Sequence, residues 1–215
     1  MRPENLAARM ESISLQLLGR PYKTNPLIGS AESPEVLTDA ISGFDCVTFI
    51  ETVLARALSR SRSETSSILR RIRYQGGRVN WERRNHYMTD WIRNNERDGM
   101  VRRVNLGTAA ITKKRRLDMI PGLRPKNRSF SCAPKKYLSR IDSRLRSGDL
   151  IFFASTRPHL DIFHCGILIR SAEALLLRHA SRNQSGVVEQ DLSQFLNANR
   201  MAGILLARPV ERAAH

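Results

Sequence analysis

The sequence predicts an α+β fold with helices first and an antiparallel sheet afterwards. Three observations carry this. Residues 46–59 hold Val47, Ile50, Val53, Leu54, Ala57 and Leu58 on one stripe of period 3.6. The last third holds four short apolar runs, DLIFFA (149–154), FHCGILIR (163–170), LLLRHA (175–180) and GILLAR (203–208), separated by turn chemistry. Between these two parts, residues 101–140 show neither period.

Taken in order, residues 4–19 space Leu6, Met10, Ile13, Leu17 and Leu18 as a first amphipathic helix. GRPY breaks it, and Pro21, Pro26, Gly29 and Pro34 mark residues 20–42 as loop. The stripe from Cys46 is the second helix, and a third over about 64–73 ends near Gly76-Gly77. Residues 79–95 carry both tryptophans and a His-Tyr pair among arginines. The stretch 101–145 is expected to be a long, basic, partly irregular insertion, with Lys113, Lys114, Arg115 and Arg116 at its densest. No internal repeat is visible. The 215 residues read as a single domain: a mainly helical part to residue 100, the basic segment, and a sheet over 146–210.

Thirty-six Lys and Arg stand against 20 Asp and Glu, net +16, which favours polyanionic partners without choosing among nucleic acid, membrane surface and wall polymer. No helix-turn-helix, zinc-finger or RNA-recognition signature is present, so no nucleic acid is expected as partner. Three cysteines leave one over in any disulfide scheme, and no CxxC pair or spaced Cys/His cluster appears, so neither metal nor cofactor is expected. No apolar run reaches membrane-spanning length. Glu4, Arg9 and Glu11 interrupt any apolar core in the first 22 residues, which therefore do not read as a secretory signal.

GFDCVTFIETVLA places Cys46 where loop becomes helix, with Asp45 as N-cap and Gly43 loosening the entry. A helix N-terminus favours a thiolate, whereas the adjacent Asp45 charge opposes it. On that evidence alone an inert buried cysteine is the stronger reading. Two histidines reverse the balance. If the turn SAEA (171–174) pairs Arg170 with Leu175, then Gly166 faces His179, and His164 and His179 are diagonal neighbours on one face, roughly 7–8 Å apart by backbone. Any even-length loop keeps them together. A base on one strand with an orienting polar group on the next is what a cysteine nucleophile needs. His159 competes as base but sits in the loop TRPHLD; Cys165 faces away from His164 and reads as core; Cys132 has no visible helper. Asp149 reads as structural at a strand entry.

The order DCVTFIET, GDLIFF, FHCGILI, LLLRHAS resembles the NlpC-type cell-wall cysteine peptidases of the papain-like superfamily. FDCVTFIET together with RIRYQGG and RRNHYMTDW is similar to its N-acetylmuramoyl-L-alanine amidase-like branch, over roughly residues 15–210. The resemblance implies an NlpC-type fold, with Cys46 as nucleophile, His164 as base and His179 as orienting residue. It implies hydrolysis of the amide between N-acetylmuramic acid and L-alanine in peptidoglycan or muropeptides, at the bacterial cell envelope. A stem-peptide endopeptidase or an acyltransferase on the same fold is the alternative, and a basic nucleic-acid binder a more distant one. Tyr22 matches a tyrosine placed beside the nucleophile, a candidate oxyanion or substrate donor. Arg84, His86 and Tyr87 follow the branch motif and are candidates to line the groove, against a structural loop packed under Trp81 and Trp91. Asp45 is a cap or a ligand for a substrate amine. Asp161 is a group near the base or a turn former. Cys165 stands where such motifs usually have Val.

Overall fold

The computed structural model describes residues 5–39 and 42–211. Three helices open the chain: α1 (Leu6–Leu15), α2 (Cys46–Leu58) and α3 (Arg62–Arg73). Asn5, Asp45 and Ser61 cap them, each accepting a backbone N–H of the first turn. α4 (Met88–Arg97) follows. Its N-cap, Tyr87, makes no side-chain cap bond; Asp161 does so from a distant loop, accepting from the Thr89 N–H at 2.7 Å.

The sheet has six strands in the order β1-β8-β4-β5-β6-β7, all antiparallel. They are β1 (Val101–Arg103), β4 (Leu150–Ala154), β5 (Ile162–Arg170), β6 (Leu175–Ser181), β7 (Gly186–Asp191) and β8 (Gly203–Pro209). On one face, Phe152, Cys165, Ile167, Ile169, Ala180 and Leu205 pack with α1–α4. On the other, Ile151, Phe153, Leu168, Leu177 and Ile204 pack with Leu192, Phe195 and Leu196 of α6 (Leu192–Ala198) and with Ile141 of the short α5 (Leu138–Ile141). The arrangement is the expected α+β one. α2 lies across β5 and β6, and ten of its thirteen residues are buried, so it is a core helix rather than a surface one.

The basic stretch departs from expectation. Instead of irregular chain it holds a ribbon, β2 (Ile111–Leu117) with β3 (Lys126–Cys132), paired without interruption from Ile111↔Cys132 to Leu117↔Lys126. Exposure alternates along both strands, but the inward residues include cations, which hid the period. Lys126 and Arg128 reach Asp90 of α4, the latter at 2.7 Å, and Arg115 donates to the Ser155 carbonyl at 3.2 Å. A strand whose inward face is satisfied by a carboxylate carries no apolar alternation to read.

The β5–β6 hairpin keeps the expected register, Arg170↔Leu175 through Ile167↔Arg178. Gly166 follows beside His179, and a Cβ there would lie 3.0 Å from His179 Cβ and 2.8 Å from the Arg178 carbonyl oxygen. The close approach of the strands therefore requires glycine at 166. Between β4 and β5 the register shifts after Phe153↔His164, so Ala154 faces Ile162 and Phe163 is the extra residue. That bulge leaves Ile162 and Cys165 on the α2 face and Phe163 with the opposite core.

Candidate active site

Cys46 is the first residue of α2 and is half-buried. The Asp45 carboxylate accepts from the Thr48 N–H and hydroxyl, both at 2.8 Å, while the Thr48 hydroxyl accepts from the Asp45 N–H at 3.1 Å, a reciprocal capping box. The segment before the helix is docked too: Phe44 donates to the Pro21 carbonyl and Lys23 to the Phe44 carbonyl, both at 2.9 Å. A Cβ on Gly43 would lie 2.6 Å from that Pro21 oxygen, so Gly43 permits close approach rather than flexibility. Tyr22 is thereby carried to the nucleophile side. Burial pushes its phenol up, and the negative charges of Cys46 and Asp45 add to this.

His164 on β5 and His179 on β6 face each other, with His164 Nε2 2.6 Å from His179 Nδ1 and the rings nearly perpendicular. Phe153 and Phe195, themselves in contact, stack near the His164 ring at 6.1 and 5.5 Å. The Cys46 thiol is held well below the usual thiol range. A hydrogen bond from the Cys165 thiol is the main cause, joined by the charge and a hydrogen bond of His164, against the effect of burial. Burial pushes the Cys165 thiol up, so the proton of that pair resides on Cys165. Asp45 is raised to about 6 by burial and by the Cys46 charge. His179 is lowered to about 3 by burial and by His164, and so stays neutral.

Two residues of this site carry no motif. Cys165, expected only as core, is buried, yet its thiol also lies 3.3 Å from the Cys46 carbonyl oxygen. Its position on the α2 face was legible; that Cys46 sits over it was not. Gln190 on β7, with its carboxamide nitrogen 3.1 Å from His179 Nε2, gives no sequence signal, because GVVEQD lacks the apolar run that marks the other strands.

The other candidates lie elsewhere. Asp161 is buried, and beyond Thr89 it accepts the Ile162 N–H at 2.7 Å; it caps α4 and has no bond to either histidine of the site. Arg84 pairs with Glu35 and sits over the Trp81 ring, His86 Nε2 meets the Trp81 carbonyl at 2.8 Å, and the Tyr87 hydroxyl accepts from the Met119 and Ile120 N–H groups. All three are held by partners within the protein. Asp149 pairs with Arg208, His159 with Asp118 on the surface, and Cys132 is buried with its thiol pushed up.

An open pocket of about 420 Å³ lies beside the histidine pair, lined by Phe163, Arg182, Asn183, Gln184, Gln190 and Gln194 among others, with no carboxylate. A second, of about 440 Å³, lies at the β1–β8 edge away from Cys46; its cations Arg93 and Arg128 are paired with Asp90, and Arg103 with Glu96. Among the described residues, no three His, Cys, Asp or Glu side chains converge as a metal site, and no helix is long and apolar enough to cross a membrane.

Helices packed on an antiparallel sheet, with a thiol at a helix start beside His164, define the class: an α+β protein of helices on one antiparallel sheet. The chain belongs to the AmiA-like family, described as N-acetylmuramoyl-L-alanine amidase-like, whose model matches residues 12–204. Among solved structures, it is similar to an N-acetylmuramoyl-L-alanine amidase of Bacteroides uniformis, 28% identical, with TM-score 0.84 over 96% of this chain and 99% of that one. A Bacteroides fragilis protein provisionally called a xylanase is also 28% identical, with TM-score 0.81 over 92% and 99% of the two chains. A Legionella pneumophila protein shares the fold at 20% identity, TM-score 0.85, over 96% and 90%. No curated protein matches the chain.

Proposed function

We propose that the protein is a cysteine amidase of NlpC-type, papain-like architecture that cleaves the amide between N-acetylmuramic acid and L-alanine in peptidoglycan or muropeptides, acting at the cell envelope. The observation that carries this is the 2.6 Å contact between His164 Nε2 and His179 Nδ1. It commits one ring nitrogen of His164 to an orienting partner and leaves Nδ1 for the thiol. The depressed Cys46 thiol then pairs with a His164 imidazolium, and neutral His179 accepts from it.

The chemistry follows. The thiolate attacks the lactyl carbonyl carbon, and the oxyanion is received at the start of α2, where first-turn N–H groups lack intrahelical acceptors, with the Tyr22 hydroxyl beside it. His164 gives its Nδ1 proton to the departing alanine nitrogen, leaving a thioester on Cys46. A water, deprotonated by His164, then releases the acid and restores the thiolate. Glycoside hydrolysis, the activity suggested for the Bacteroides fragilis relative, ordinarily uses two facing carboxylates. Here Asp45 and Asp161 each cap a helix and the pocket lining has none. Family membership favours the amide bond.

The test is digestion of purified muropeptides followed by mass analysis. Release of stem peptides with a free L-alanine amine, abolished in Cys46→Ala, supports the reading. Products cut within the stem peptide identify an endopeptidase, and undiminished turnover by Cys46→Ala removes the cysteine mechanism.

A further inference from the structure

His179 Nε2, on the side away from His164, meets the carboxamide of Gln190, which lies across the β6–β7 ladder; Gln190 Oε1 in turn meets Gln184 Nε2 at 3.2 Å. We propose that Gln190 is a positioning residue which turns its carboxamide oxygen to His179, fixes that ring as the Nε2–H tautomer, and so allows His164 to hold the proton that the thiolate needs. This inference rests on the Cys46–His164 reading above.

Proton counting carries the argument. A His164 imidazolium bears hydrogen on both nitrogens, so its Nε2–H must donate across the 2.6 Å contact. His179 Nδ1 is then a lone pair. Burial and the neighbouring positive charge keep His179 neutral, with a single N–H. That hydrogen therefore sits on Nε2 and points at Gln190, which has to present an acceptor. The two ends of a carboxamide exchange by a half-turn, and the network decides which faces the ring. With the amino end toward His179, the ring hydrogen moves to Nδ1 and donates to His164 Nε2. His164 is then excluded from the imidazolium form and the thiolate loses its counter-ion. One half-turn of a half-buried side chain on β7 thus separates the charged site from a neutral one.

The other titratable groups near the thiol and the pair are Cys165 from β5, Asp45, Tyr22 before α2, Glu51 of α2, whose charge acts on Asp45 and Cys165, and Arg182 from the β6–β7 turn. Phe195 of α6 stands 5.5 Å from both rings and supplies no hydrogen-bonding group. The Gln184–Gln190 pair is the chain's polar contact with the outer face of His179 among the described residues.

Alkylation of Cys46 by iodoacetamide, followed by mass spectrometry across pH in the full-length chain, tests this without any substrate. Gln190→Leu removes the acceptor and is expected to move the rise of alkylation to higher pH, slowing it roughly tenfold near neutrality, the equivalent of one pKa unit. Gln190→Glu, which only accepts, is expected to keep the wild-type rise or move it to lower pH. Superimposed profiles for wild type and a cooperatively melting Gln190→Leu overturn the proposal, as does a Gln190→Glu profile displaced upward. If muropeptides are not cleaved at all, the amidase reading fails while this test still reports on the tautomer.

Discussion

Two regions of this molecule carry a partly or fully buried histidine among aromatic rings, and they differ in what the ring nitrogens face. At the β5–β6 hairpin, the nitrogens of His164 and His179 face each other, a half-buried thiol and an open pocket. In the loop 81–87, His86 meets a backbone carbonyl and packs on Trp81, with ring centroids 4.1 Å apart, while Arg84 is neutralised by a buried Glu35 that also receives the Tyr74 hydroxyl. Residue type is nearly the same in both places. The first faces a thiol and an open pocket; in the second, His86 Nε2, the Arg84 guanidinium and the Tyr87 hydroxyl are all engaged by protein partners.

The sharpest break in this comparison is Cys46→Ala. It is expected to abolish muropeptide hydrolysis with an unchanged melting temperature, whereas no substitution in the 81–87 loop is expected to abolish turnover per folded molecule. The reverse experiment is Arg84→Leu. It strands the buried Glu35 carboxylate and is expected to cost about 3 kcal/mol, measured by denaturant unfolding, with Cys46 alkylation unchanged in the folded fraction.

Acidification acts on both regions at once. His179, at about 3, and His86, at about 4, lie below the 6.5 of an unfolded histidine, each chiefly through burial. The unfolded chain therefore takes up more protons, and stability is expected to fall as pH drops from about 6.5 toward 3. Asp45, raised to about 6, opposes this between roughly 4 and 6 but is the smaller effect. Melts of wild type and His86→Gln across this range are expected to show a shallower acid loss in the variant.

Smaller effects sharpen the site itself. Cys165→Ala removes the thiol donor without adding bulk and is expected to raise the pH at which Cys46 alkylates, at a stability cost of about 1 kcal/mol. Asp45→Asn keeps a good N-cap and removes a charge beside the thiolate. It is expected to move alkylation to slightly lower pH at a stability cost of a few tenths of a kcal/mol.

Much of this contrast was legible before any coordinates. The α2 stripe, its Asp45 cap and the even SAEA turn are local patterns, and a two-residue strand period turns the last of them into a statement about which face two histidines share. Asp161 and the 81–87 loop were harder because their partners, Thr89, Glu35 and Met119, lie far along the chain. The β2–β3 ribbon is hard to read from sequence because cations take inward positions where apolar residues usually mark a strand: Lys126 and Arg128 meet Asp90 on α4, and Arg115 the Ser155 carbonyl.

Sequence by itself determined the core helix with its thiol at the start, the order of helices before sheet, and the pairing of His164 with His179. These depend on periodicities of 3.6 and 2 that neighbouring residues express. Tertiary structure alone decided that Cys165 lies under Cys46, that Gln190 stands behind His179, and that Arg84 meets Glu35 and His86 the Trp81 carbonyl. Each of those rests on a contact between segments that no local period relates.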